Sequence, residues 1–159
     1  MVQIRRATSR DADAIAKLAA ASAAEEGAVS ALEADRIRAH AFGQNNLFEA
    51  FVAQERSNAP VQALAVITKG YDFRRACPTI VLCELYVVPD QRRSGLARRM
   101  MSAVARRARD LGARELMITT GVDNAVAQKF FAAVGARPQQ GAAFMMTADG
   151  IEWLATEDL

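Results

Sequence analysis

The 159-residue chain is poor in several residue types that carry chemistry. It has one histidine, two cysteines, one tryptophan and only three lysines beside seventeen arginines. A zinc site needs four clustered Cys, His or carboxylate ligands, and the single histidine, His40, stands in a segment unrelated to Cys77 and Cys83, so no metal is expected. The two cysteines are separated by a run that reads as extended chain. At about 3.3 Å per residue they sit roughly 20 Å apart, beyond disulfide reach, which fits a reduced, cytoplasmic protein. No stretch approaches the roughly 18 apolar residues of a membrane-spanning helix. The most apolar N-terminal run, Ala14 to Ala24, contains Lys17 and ends at Glu25 and Glu26, so neither secretion nor a membrane partner is expected. Neither G-x-x-x-x-G-K-[ST] nor G-x-G-x-x-G after a strand occurs, which removes two common nucleotide cradles. Linkers, repeats and low-complexity tracts are also missing apart from an alanine bias, and the length fits one domain over 1–159.

Charge is present but uneven. Lys and Arg number 20 against 18 acids, a net charge of +2 that does not by itself argue for nucleic acid. Between Gln91 and Arg109, however, lie Arg92, Arg93, Arg98, Arg99, Arg106, Arg107 and Arg109 with no acid until Asp110. An arginine helix that binds nucleic acid is a weak reading, because no aromatic residues interleave there to stack on bases.

Periodicity gives the elements. Val2 to Ala7 alternates as a short strand and runs into Thr8-Ser9, a helix cap. Ile15, Leu18 and Ala19 mark a helix from about Asp11 to Glu26, with acids in its first turn and Gly27 as its stop. A weaker helix, Ala31 to Phe42, closes at Gly43. Leu47 to Gln54 and Val61 to Thr68 read as an antiparallel hairpin. Thr79 to Val88, bounded by Pro78 and Pro89, reads as a strand covered on both faces at the sheet centre, with Glu84 its only charge. Gly95 to Leu111 is an amphipathic helix about four turns long, with Met100 and Met101 on its core face and Gly112 as its cap. A strand at Glu115 to Thr120 and a helix at Asn124 to Val134, ended by Gly135, follow. Two short strand candidates then flank a turn at Ala148-Asp149-Gly150, within Ala142 to Leu154.

The informative stretch is Glu84-Leu85-Tyr86-Val87-Val88-Pro89-Asp90-Gln91-Arg92-Arg93-Ser94-Gly95-Leu96-Ala97. A strand delivers the chain into a turn whose small residues open a helix, so unpaired amides and the positive helix end converge, a place suited to phosphate. Gly95 lets the backbone approach an anion closely, and Arg92, Arg93 and Arg98 add charge there. Arg99, Arg106, Arg107 and Arg109 are expected largely on the solvated face or near the helix C-terminus. As a bare spacing this pattern is weak.

Arg92, Gly95 and Ala97 meet the pyrophosphate signature Gln/Arg-x-x-Gly-x-Gly/Ala after a Leu-Tyr-Val-x-Pro strand end. Asn124, Ala127, Phe130, Phe131, Gly135 and Ala136 meet a second pattern in the right order, and the chain thereby resembles the GNAT superfamily of acyl-CoA-dependent N-acetyltransferases. The resemblance implies an α/β (α+β) domain with a mixed, mostly antiparallel sheet of about six to seven strands, about four helices, and central strands that splay around a pantetheine arm. It implies acetyl-CoA as cosubstrate, with Tyr86, Val87 and Val88 along the arm. The amides of Arg93, Ser94, Gly95, Leu96, Ala97 and Arg98 would lie on the pyrophosphate, with Asn124 and Phe131 near the acyl end. It also makes a homodimer through the C-terminal strands plausible.

Acetyl transfer by direct attack needs a neutral amine. An alkylammonium of pKa near 10.4 is about 99.9% protonated at pH 7, so a carboxylate must take its proton, and Glu84 is the leading candidate. A buried lone Glu is otherwise a structural carboxylate that needs good partners. Many relatives place the acid at the position of Cys83, or the base on the later strand, where this chain offers Thr119. Many also carry Tyr where this chain has Phe131, which cannot protonate the leaving thiolate. Solvent, Tyr86 or Tyr71 then supplies that proton, or the protein is a non-catalytic acyl-CoA sensor. The acceptor, a small-molecule or peptide amine, is expected between Glu25 and Phe48 and at a loop Gly70 to Pro78. There Tyr71, Asp72 and Phe73 suit a cation, while Arg74 and Arg75 suit an anion.

Overall fold

The computed structural model describes residues 1–141 and 143–156. The chain opens with β1 (Gln3–Arg6), and α1 (Ala12–Glu25) and α2 (Ala34–Phe42) follow it. Strands β2 (Glu49–Gln54), β3 (Ala63–Asp72) and β4 (Cys77–Val87) come next, then α3 (Leu96–Asp110), β5 (Glu115–Ile118), α4 (Ala125–Ala133) and α5 (Ala148–Ala155). The strands form one sheet in sequence order, antiparallel from β1 to β4 and parallel between β4 and β5, whose crossover is α3.

Helices α1 and α2 cover one face. Ile15, Leu18, Ile37 and Ala41 pack there on Ala50, Val52, Leu64 and Tyr86. On α3 the residues Leu96, Met100, Met101, Ala103, Val104 and Ala108 are buried, as the helical period requires of a helix that packs on the sheet. The glycine stops hold. At the ends of α1, α3 and α4, paired hydrogen bonds such as Gly112 N to Arg109 O and Ala113 N to Ala108 O form the same C-terminal motif.

The chain departs from expectation in three places. Among the described residues the sheet has five strands and there are five α-helices. The Ala148-Asp149-Gly150 segment is the first turn of α5 rather than a turn between strands, because Thr147 caps it by accepting from the Gly150 amide at 3.3 Å. Ala142, where the strand candidates were expected to begin, lies outside the described residues, as do Glu157 to Leu159. The most buried strand is β2, buried at all six positions, whereas β4 mixes buried with partly exposed positions and exposes Cys83. The expected loop Gly70 to Pro78 is mostly paired strand, Gly70 opposite Thr79 and Tyr71 opposite Pro78, which leaves a tight turn at residues 73–76.

The chain divides into two compact units, one through Ala125 that holds the whole sheet, and one from Val126 onward that holds α5 and all but the first residue of α4. No helix among the described residues is long and apolar enough to cross a membrane.

Candidate functional site

Glu84 sits where two irregularities of β4 coincide. The β3–β4 register shifts between Val66, opposite Glu84, and Ile67, opposite Leu82, so Cys83 is an extra residue in the strand. Such a bulge re-aims the side chains beside it. The β4–β5 ladder ends at Leu82 opposite Ile118, while β4 continues to Val87. From Glu84 onward one edge of β4 therefore has no strand neighbour among the described residues.

Hydrogen-bonding groups alternate along that edge. Both backbone groups of Val88 are engaged, its amide by the Gln62 carbonyl at 3.0 Å and its carbonyl by the Gln91 amide at 2.9 Å. The strand period then turns the backbone groups of Leu85 and Val87 toward the open side. The Val87 carbonyl accepts from Arg92 Nε at 2.9 Å. The amides of Leu85 and Val87 thus face the open edge, whereas the amide of Val88 does not.

The Glu84 carboxylate is half-buried under the last turns of α1. Burial pushes its pKa up from the usual carboxylate range, and the negative charge of Glu26 adds to this. The Ser22 hydroxyl, donating to Oε1 at 3.0 Å, and the Leu85 amide act in the other direction. A carboxyl group of raised basicity inside an apolar strand is chemically fit to accept a proton.

Beyond β4, a short 3-10 turn at Pro89–Gln91 leads to Arg93 at φ 60° and Gly95 at φ 82°, the residue that precedes α3. A side chain at Gly95 would meet nothing within 4 Å, so it is the backbone conformation that calls for glycine. Ser94 closes the turn by donating its hydroxyl to the Gln91 carbonyl at 2.6 Å. Arg93, Ser94 and Gly95 are exposed, the Leu96 side chain is buried beneath them, and Ala97 is half-buried. The first amides of α3 have no carbonyl four residues back within the helix.

Arg92 does not point into that turn. Its guanidinium holds both oxygens of Glu25 at 2.7 and 2.8 Å and lies over the Tyr86 ring, 5.5 Å from the centroid. The Tyr86 hydroxyl donates to the same carboxylate at 2.9 Å. Hydrogen bonds from Arg92 and then Tyr86 hold the Glu25 carboxyl below its ordinary pKa, while burial and Glu25 push the Tyr86 phenol up. Two arginines assigned to the solvated helix face also have structural partners. Arg107 forms a bidentate pair with Glu49 at 2.8 and 2.8 Å, and Arg99 donates to the Val2 carbonyl at 2.6 Å.

Asn124 stands immediately before α4, in the first unit, whereas Phe131 belongs to the second, where it is half-buried and packs edge-on against Phe130 with centroids 5.4 Å apart. The β3–β4 turn carries an exposed edge-to-face pair, Tyr71 and Phe73, at 5.7 Å. Arg75 there is paired with Glu115 and Asp72, so part of the conflicting positive charge is neutralised. At about 3.3 Å per residue the seven steps from Cys77 to Glu84 place this turn roughly 20 Å from Glu84, and one small acceptor cannot span both.

Sequence reasoning missed Ser22 and Glu49. A signal for Ser22 was available, since Ile15, Leu18, Ser22 and Glu25 lie at i, i+3, i+7 and i+10 and share one helix face.

Residues 20–136 match the family model described as the acetyltransferase (GNAT) family. No curated protein sequence gives a match. Among solved structures, a probable acetyltransferase is 21% identical, with 91% of this chain and 97% of that one covered and a TM-score of 0.79. A ribosomal-protein-alanine N-acetyltransferase from Brucella melitensis biovar Abortus 2308 is 19% identical over 92% of this chain and 100% of that one, at 0.75. An aminoglycoside acetyltransferase from an uncultured soil metagenomic sample is 16% identical over 92% and 95%, at 0.77. At these identities the likeness establishes the shared fold.

Proposed function

Because this chain belongs to the acetyltransferase (GNAT) family and is an acyltransferase, we propose that it moves the acetyl group of acetyl-CoA to a primary amine, with Glu84 as general base. The observation that carries this reading is the position of Glu84. It is a half-buried carboxylate of raised basicity at the point where β4 loses its β5 partner, on the strand that leads into the amide-rich turn before α3.

The residues present suit acetyl-CoA. The turn from Arg93 to Arg98 offers helix N-terminal amides for the pyrophosphate, with Arg93 and Arg98 to add charge. Along the open edge of β4 the Leu85 amide serves Glu84 and the Val87 carbonyl serves Arg92, and the Val87 amide is the backbone group offered to an extended pantetheine chain. Tyr86 and Arg92 shape this region by fixing the turn to Glu25 rather than by contacting phosphate. The family motif assigns Asn124 to the acyl end.

Glu84 takes one proton from the acceptor ammonium, directly or through water. The neutral nitrogen attacks the thioester carbonyl carbon, the C–N bond forms, the nitrogen gives up its second proton to solvent, and the C–S bond breaks. The CoA thiolate leaves and is protonated by solvent, since a thiol of pKa near 8.5 is a tolerable leaving group and Phe131 has no proton to give. Tyr86 is a poor substitute, because its hydroxyl is committed to Glu25. Glu25 is neutralised by Arg92, and the Glu26 and Glu84 carboxylates favour a cationic small-molecule acceptor. The test is an amine panel with purified protein and acetyl-CoA, read by mass spectrometry. An acetylated product whose formation is lost in Glu84→Gln supports the reading, and CoA binding without turnover on any amine would overturn it.

A further inference from the structure

We infer that Ser22 is a positioning residue for the proton transfer. Its hydroxyl binds Glu84 Oε1 at 3.0 Å and so leaves Oε2 as the oxygen that meets the acceptor ammonium. The inference rests on the reading of Glu84 as base.

Ser22 lies in the run Ala19-Ala20-Ala21-Ser22-Ala23-Ala24, and it is buried, 8% exposed, on the face of α1 that carries Ile15 and Leu18. Serine there is inferior to its alanine neighbours on two counts. It is a weaker helix former, and its hydroxyl must be withdrawn from water. The helix-interior serine usually recovers that loss by bonding the carbonyl of the preceding turn. Here the hydroxyl reaches across to β4, 62 residues away in sequence. The end of α1 is held so that this geometry persists, because one turn further on Glu25 is clamped by Tyr86 and Arg92.

The groups that face Glu84 can be named. Glu26, which caps the C-terminus of α1, supplies a like charge that favours the protonated acid. Glu25, the last residue of α1, is neutralised by Arg92 from the turn and bonded by the Tyr86 hydroxyl from β4. β3 places the non-titratable Val66 opposite. Ser22 is therefore the side-chain donor that opposes burial and Glu26, and it stabilises the charged base as well as aiming it.

The test compares wild type, Ser22→Ala, Ser22→Thr and Glu84→Gln. One readout is the ¹³C titration of the Glu84 carboxyl, identified as the signal missing from Glu84→Gln. The other is the acidic limb of kcat/KM with acetyl-CoA and spermidine, or the panel amine that turns over fastest. Ser22→Ala should move both upward by about one pH unit, roughly tenfold in rate on the acidic side, and Ser22→Thr should restore them. Alanine suits this helix, so far-ultraviolet circular dichroism should be unchanged. If Glu84→Gln abolishes turnover while Ser22→Ala leaves the titration and the limb in place, the inference falls alone. If Glu84→Gln turns over normally, the reading of Glu84 as base falls and takes the role of Ser22 with it.

Discussion

A carboxylate taken off the surface loses hydration, and at Glu84 that loss is only partly offset by the Ser22 hydroxyl and the Leu85 amide. The sign of its effect on stability follows. Its folded pKa is raised, so the native state holds more protons than the unfolded chain between the two pKa values, and stability falls as pH rises through that window. Glu84→Gln should therefore leave the urea midpoint at pH 7 unchanged or higher while lowering kcat by about 10²-fold or more. A lower midpoint with normal kcat would contradict both halves. At Gly95 the constraint is the backbone. With φ at 82° and open space around it, Gly95→Ala should cost about 1–2 kcal/mol in chemical denaturation, and Gly95→Val should also raise the Kd for CoA. Both effects come from a turn that an L side chain strains.

At the scale of elements, α3 is seated on the sheet by an apolar face and by one ionic cluster. Glu49, 7% exposed on β2, receives Arg107 from α3, Lys69 from β3 at 3.1 Å and Arg6 from β1 at 3.2 Å. The hydrogen bonds from Arg107 are the main cause that lowers its pKa to about 2, against burial that would raise it. A depressed folded pKa means that this contribution is complete above the unfolded value near 4.5 and is lost as pH falls toward 2. Urea titrations of wild type and Glu49→Gln should differ by on the order of 3 kcal/mol at pH 7 and converge at pH 2 to 3. A difference independent of pH would assign the effect to packing. Met100, fully buried on the same helix, tests the apolar part. Met100→Ala should cost about 2–5 kcal/mol, measured as a shift in urea midpoint with unchanged slope.

For the whole molecule, the arginine excess proves to be distributed work rather than one basic surface. Arg107 and Arg99 fasten α3, Arg92 fastens the turn to α1, Arg5 is paired with Asp11 at 2.8 Å, and Arg38 ties α1 to α2 through Asp13 at 2.6 Å. A ligand that binds only the folded chain raises its melting temperature. Acetyl-CoA at a hundred times its Kd should add about 2.7 kcal/mol, several degrees in Tm for a chain of this length. Removal of the ligand by gel filtration should return Tm to its starting value, and a Tm indifferent to acetyl-CoA would count against the proposed site.

Local chemistry was enough to read much of this from the sequence. Alternation at residues 2–5, the three- and four-residue steps of α3, and the stops at Gly27, Gly112 and Gly135 act over a few residues and leave a direct trace in the chain. The strand–turn–helix around Gly95 is local in the same way. The C-terminal segment misled because Ala148-Asp149-Gly150 suits both a turn and a capped first helical turn, and the Thr147 bond decides between them. Only the tertiary structure could decide contacts made across long separations: that Arg92 answers Glu25, that Arg107 answers Glu49, and that Ser22 reaches Glu84. A bulge at Cys83 and the early end of the β4–β5 ladder belong to strand pairing, which no single segment encodes. Side-chain periodicity is written in the order of residues, but the partner of a charge is fixed only when distant segments are brought together and water is removed from between them.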